Sequence, residues 1–159
     1  MPIYFDHNAT TPLDPRVLEA MQPYLTGPYG NPSSVHRYGR AARDAIEAAR
    51  AQVAAMAGAE AKEVVWTSGG TESNNLALKG VTEGHKPDRV LYGATEHPAV
   101  LETAEALVRR GWRVETIAID GQGLVDWPAF EAQLHHGPLR IAALMAANNE
   151  TGVIQDTAR

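Results

Sequence analysis

The sequence predicts an α/β fold with a mainly parallel sheet flanked by helices. Two observations carry this. Short apolar runs alternate with stretches whose apolar residues recur at helical spacing. Three of the apolar runs also end in polar, ligand-competent residues, as strands do at the carboxyl edge of a parallel sheet. The chain has 159 residues, enough for one domain with a core.

The first 12 residues read as an extended arm ending at Thr11-Pro12. Asp14-Pro15 opens a short helix with Val17, Leu18, Met21 and Leu25 on one face, broken by Gly27-Pro28 and Gly30. The next helix carries Ala42, Ile46, Ala49, Val53 and Met56 at spacings of four and three, and Gly58 caps its end. Val64 to Thr67 reads as a strand leading into Ser68-Gly69-Gly70-Thr71-Glu72-Ser73 and a helix through about Leu78. A second strand fits Arg89 to Tyr92, and a helix from Pro98 to about Arg109 follows. A third strand fits Trp112 to Ile119, with a turn at Gly121 and Gly123. Asp126 caps a helix carrying Phe130 and Leu134, with Pro128 in its first turn. A fourth strand, Ile141 to Met145, runs into Asn148-Asn149-Glu150. The run from Gly152 to Arg159 stops where Asp156 or Thr157 would open another helix, which reads as an incomplete domain.

Composition narrows the function. With 44% hydrophobic and 21% charged residues the chain is ordinary for a soluble globular protein. A net charge of -5 without a basic stripe argues against nucleic-acid binding. The absence of cysteine excludes disulfides, Cys-ligated zinc and a thiol nucleophile within this chain. The N-terminus has no signal-peptide pattern, and no apolar run nears the ~20 residues of a membrane helix. A cytoplasmic protein without a membrane partner is expected.

The strongest local feature is Thr67-Ser68-Gly69-Gly70-Thr71-Glu72-Ser73-Asn74-Asn75, between a strand and a helix. Glycines admit close approach of a ligand, and a helix N-terminus suits a phosphate. The same residues also make an ordinary turn and helix cap, and the stretch alone does not separate the two. It is neither a nucleotide P-loop nor a dinucleotide fingerprint. His97 sits at the next strand end, where it could move protons or stack on a flat ligand. Taken alone, it reads better as a surface histidine at a helix start. Asn148 and Asn149 follow a strand at the same edge and offer both donors and acceptors, which could bind a ligand oxygen or simply satisfy loop backbone. The convergence of three such strand ends favours a site over any one motif alone. No His/Asp/Glu spacing suggests a metal.

Five segments in order now resemble the cysteine desulfurases. They are Tyr4 to Pro12, Gly30-Asn31-Pro32-Ser33-Ser34-Val35-His36, Ser68 to Asn75, Thr95-Glu96-His97, and Asn148 to Gln155. The resemblance is closest to the nitrogenase-type and iron–sulfur-assembly group and spans essentially the whole chain. It implies the N-terminal part of a large domain of the fold-type I pyridoxal-phosphate (PLP) enzymes, in the class V aminotransferase family. It places residues 1–12 as an arm of the small domain and 13–159 as an incomplete PLP-binding large domain. It further implies a homodimer that takes sulfur from L-cysteine, leaving L-alanine, and holds it as a persulfide before passing it to an acceptor. The acceptor would be an iron–sulfur scaffold or a tRNA-thiolation protein. By motif, Gly70 and Thr71 correspond to phosphate binding, His97 to the histidine stacked on the PLP ring, and Asn149 to the asparagine near the phenolic oxygen and substrate.

The departures are as specific. The lysine that anchors PLP, the aspartate facing its pyridine nitrogen, the carboxylate-binding arginine and the persulfide cysteine all fall later in the family's pattern. Lys62, Lys79 and Lys86 sit in none of the right contexts. Two alternatives remain open: a non-catalytic binding or dimerisation module, and another class V lyase such as one acting on selenocysteine.

The chain by itself is therefore expected neither to release sulfide from cysteine nor to fix PLP on a lysine. Borohydride treatment of the PLP-loaded chain, followed by mass mapping, checks this; one homogeneous lysine adduct would contradict it.

Overall fold

A computed structural model describes residues 3–27 and 29–157. Pro28 of the expected Gly27-Pro28 break, the first two residues of the arm and the last two of the chain lie outside them. Two compact units emerge, Met1–Trp66 and Thr67–Arg159.

In the first unit the expected extended arm is bent. The N–H groups of Ala9 and Thr10 both donate to the Asp6 carbonyl, at 3.2 and 3.3 Å, and the Tyr4 hydroxyl donates to the same oxygen at 2.8 Å. Asp and Asn favour such turns, and among the described residues no strand pairs with this segment to hold it straight. Helix α1, Pro15–Thr26, starts where the sequence places it. The Asp14 carboxylate accepts the Arg16 N–H at 2.8 Å, and Pro15 takes the first helical position, where it gives up no hydrogen bond. Its apolar face forms as expected but stays uncovered: Val17, Leu18, Met21 and Leu25 are 42–66% exposed.

Helix α2, Arg37–Ala57, ends on Gly58, whose φ of 65° is the left-handed conformation that glycine adopts without steric cost. A 3-10 turn, Ala61–Glu63, follows. The expected strand at 64–67 does not form. A strand exists through backbone pairing with a neighbour, and among the described residues no strand lies beside this stretch. Instead the Arg50 side chain donates to the Val64 carbonyl and lies 5.7 Å over the Trp66 ring. Ala54 is the one buried apolar residue of this unit among those described.

The second unit holds the core. Helix α3, Gly70–Thr82, runs four residues past its expected end. Strand β1, Arg89–Gly93, helix α4, Pro98–Val108, strand β2, Arg113–Ile117, helix α5, Trp127–Leu134, and strand β3, Leu139–Ala143, complete it. The expected strand at 112–119 is shorter than the sequence suggested, because Ile119 turns away to bridge Val125 around Asp120–Gly123. The strand expected at 141–145 begins two residues earlier.

The sheet order is β2-β1-β3, all parallel, with Val90 beside Val114 on one side and Ile141 on the other. Successive strand residues face opposite sides. Val90 meets Leu107 of α4 and Trp112, while Leu91 meets Ile117, Val125 and Phe130 of α5. The two crossover helices therefore cover opposite faces, as right-handed crossovers leaving in opposite directions must.

At the start of β1, Arg89 is only 2% exposed. Its guanidinium donates to Glu115 on β2 at 2.9 Å and to the Gln133 carbonyl on α5 at 2.9 Å. Hydrogen bonds from Arg89 and Arg113 hold the Glu115 carboxyl at a pKa of about 2, against an ordinary value of 4.5. A depressed pKa contributes stability that is full above the unfolded value and is lost as the pH falls. Denaturant midpoints should thus decline from pH 4.5 toward 2. In E115Q this part of the slope should flatten; an unchanged slope would assign the acid sensitivity elsewhere.

Candidate functional site

β1 and β3 are neighbours, and their pairing ends at Tyr92 opposite Ala143. From β1 the chain leaves for β2 on one side, and it returns to form β3 on the other. The crevice beyond their carboxyl ends is thus a topological switch point, where open parallel sheets bind ligands. A cavity of about 180 Å3 lies here, lined by Thr95 to Pro98 from the β1 side and Asn148 to Thr151 from the β3 side.

His97 is the N-cap of α4: its Nδ1 accepts the Ala99 N–H at 3.1 Å. With Nδ1 engaged, the neutral ring carries its proton on Nε2, the nitrogen left for a ligand. The adjoining Pro98 fills the first helical position, so the cap and the helix start follow four and five residues after β1 ends at Gly93. Asn149 lines the same cavity from the opposite strand end. The sheet thus brings His97 and Asn149 to one cavity.

Gly70 and Thr71 are not among the residues that line it. They open α3 and are exposed. Among the described residues, α1, α2, α4 and α5 start on a capping side chain, namely Asp14, His36, His97 and Asp126, whereas α3 starts on Gly69 without one. The acidic Glu72 does not cover this end. Its carboxylate turns back to accept the Ser68 N–H at 2.6 Å and the Ser68 hydroxyl at 2.7 Å. Those bonds hold it below the usual carboxylate range, the hydroxyl contributing most. Thr67 and Ser73 hydroxyls, 2.6 Å apart, close the turn.

Apart from the adjoining chain, no atom lies within 4 Å of where a Cβ would stand on Gly69 or Gly70, and neither is in the left-handed region, the φ of 165° at Gly69 being extended backbone. Packing therefore does not demand glycine at either position. Open backbone at an uncapped helix N-terminus is the surface that a phosphate oxygen needs. No lysine lines the His97 cavity; Lys79 binds the Asn75 side chain at 2.6 Å and Lys62 pairs with Glu60. Among the described residues, no cluster of His, Cys, Asp or Glu is placed to hold a metal ion, and no helix is long and apolar enough to cross a membrane.

Sequence reasoning gave no role to Glu96 or Gln155, and it left Asn148 between binding a ligand oxygen and satisfying loop backbone. Glu96, 8% exposed, accepts the Met145 N–H across the crevice. Burial pushes its carboxyl above the ordinary range, while the Met145 N–H and the His97 charge draw it back. Asn148 donates to the Thr95 carbonyl at 2.9 Å and accepts from the Glu150 and Thr151 N–H groups at 2.9 and 2.8 Å. Gln155, 5% exposed, accepts the Val125 N–H at 3.0 Å and donates to the Gly123 carbonyl at 2.8 Å. All three stand inside recognised motifs, but only their distant partners reveal the task.

Residues 3–159 match the aminotransferase class-V family. The chain belongs to this family. Among its curated relatives, the cysteine desulfurase IscS of Methylobacillus flagellatus is 46% identical over 98% of this chain and 39% of its own length. The mitochondrial cysteine desulfurase of Saccharomyces cerevisiae is 46% identical over 97% of this chain and 31% of its own. A solved NifS-like protein superposes with a TM-score of 0.92 at 40% identity, over 98% of this chain and 43% of that one. SspA in complex with cysteine superposes with a TM-score of 0.86 at 33% identity, over 96% of this chain and 44% of that one. The chain thus spans about two fifths of the length of the first of these class-V relatives.

Replacing Asn148 by Ala strips the crevice loop of its hydrogen bonds and leaves the half-buried Thr95 carbonyl unpaired, while the Glu150 and Thr151 N–H groups are exposed to water. It is expected to lower unfolding free energy by about 1–3 kcal/mol. A change below 0.5 kcal/mol in denaturant titration would show that solvent replaces them at little cost.

Proposed function

We propose that this chain forms the phosphate- and ring-facing part of the PLP site of a cysteine desulfurase. The observation that carries it is the cavity joining His97 to Asn149 at the switch point. Its class-V relatives include cysteine desulfurases at 46% identity, which gives that cavity its chemistry. In this reading residues 1–12 are the arm and 13–159 belong to the PLP-binding large domain.

The residues present fit the cofactor. The uncapped end of α3 would receive the phosphate through the Gly70 and Thr71 N–H groups and the Thr71 hydroxyl. His97 would lay its imidazole on the pyridine ring and offer Nε2 for proton movement. Asn149 would donate to the phenolic oxygen and help to orient the substrate. When bound, PLP supplies an electron sink at the substrate's α-carbon, while the protein orients it. The substrate is L-cysteine, and its sulfur passes to an acceptor protein. A persulfide needs a cysteine and this sequence has none, so that group comes from residues beyond these 159. We place the enzyme in the cytoplasm as a homodimer.

The test separates phosphate from ring. Titration of the full chain with PLP and with pyridoxal, followed by absorbance, should give tighter binding of PLP. Thr71→Ala should weaken PLP by about tenfold, the scale of one hydrogen bond to a charged group, and leave pyridoxal unchanged. Equal affinities for the two compounds in the wild type would sink the proposal and favour the non-catalytic binding module.

A further inference from the structure

We propose that Glu96 is the positioning residue of this site, a carboxylate strap that sets the distance between His97 and Asn149. The inference rests on the reading above and names a residue with no role in it. Beyond Tyr92 and Ala143 the two strands no longer pair. Something else must hold the β1 end to the β3 end if the site is to keep one geometry. Side-chain bonds cross there. Asn148 reaches the Thr95 carbonyl, and Glu96 Oε1 accepts the Met145 N–H. The second ends on a side chain that is shielded from water, where a hydrogen bond is electrostatically stronger than in solvent.

The surroundings are shaped for it. A Cβ on Gly93 would stand 2.9 Å from Glu96 Oε1 and 3.1 Å from Leu144 Cδ1. Glycine at 93 therefore leaves the space in which the carboxylate reaches β3. Glu96 is buried while its neighbour His97 is exposed, so the peptide between them divides an inward anchor from an outward functional group. On the far side, the anchored Met145 is followed within four residues by Asn149. A shift of the strap moves both functional side chains relative to each other.

The experiment compares the wild type, E96A and E96Q in the full chain. Gln keeps the acceptor oxygen at the same reach, so it should restore what Ala removes. In cofactor-free protein, E96A should move the NMR signals of both the His97 imidazole and the Asn149 side-chain amide, and E96Q should return them. With PLP added, E96A should weaken binding on the order of tenfold, as when a residue orienting a ligand-holding group is lost. E96Q should bind as the wild type does.

If E96A does not fold, E96D carries the same comparison, with its carboxylate one methylene short of Met145. A lower unfolding midpoint with both signals and the affinity unchanged would make Glu96 structural only and overturn the proposal. A wild type that takes up no PLP would remove the proposed function instead, and the cofactor-free signals would still judge Glu96.

Discussion

Val90 and Leu91 are neighbours on β1, and both are completely buried. Side chains at consecutive strand positions face opposite sides of a sheet. Burying both requires cover on each face, with a strand on each edge completing the sheet. The rest of the second unit follows from that requirement. α4 supplies Leu107 to one face and α5 supplies Phe130 to the other, while β2 and β3 take the two edges. Such burial is worth about 1.5–3 kcal/mol for each large apolar side chain, an upper scale because unfolded chains are partly compact.

The same arrangement makes the site. With a strand on each side of β1, the chain must reverse its winding, and the reversal opens a crevice at the carboxyl ends of β1 and β3. His97 and Asn149 are 52 positions apart in sequence and share one cavity because those two strands are adjacent. Cap chemistry then turns His97 into a fixed group, since the Ala99 N–H holds Nδ1. The N-terminus of α3 contrasts with this: Glu72 is tied back to Ser68, and the start of the helix stays open. One helix start holds its histidine still and the other offers its backbone.

The first unit shows what local sequence does without a partner. α1 and α2 begin and end on Asp14, His36 and Gly58, and caps of this kind need no distant contact. The apolar face of α1 is correctly spaced and still exposed, and that of α2 is only partly covered, with Val53 and Met56 exposed. The residues at 64–67 are apolar enough for a strand, yet among the described residues no strand lies beside them, and Arg50 occupies the Val64 carbonyl instead. Periodicity selects a conformation and the face to be buried, but burial itself needs a second surface.

The sequence by itself determined the α/β class, the existence and order of nearly every helix and strand in the second unit, and the motifs of the class-V family. These depend on spacing, caps and turn residues, which act over a few positions. Tertiary structure decided what depends on distance along the chain. It selected the order β2-β1-β3, joined His97 to Asn149, and left Gly70 and Thr71 outside that cavity. It also gave Glu96, Asn148 and Gln155 their work, through partners 30 to 53 residues away. A buried carboxylate reads in sequence like any surface glutamate. Only the arrival of the Met145 N–H, brought by the pairing of β3 with β1, gives it a reason to be inside.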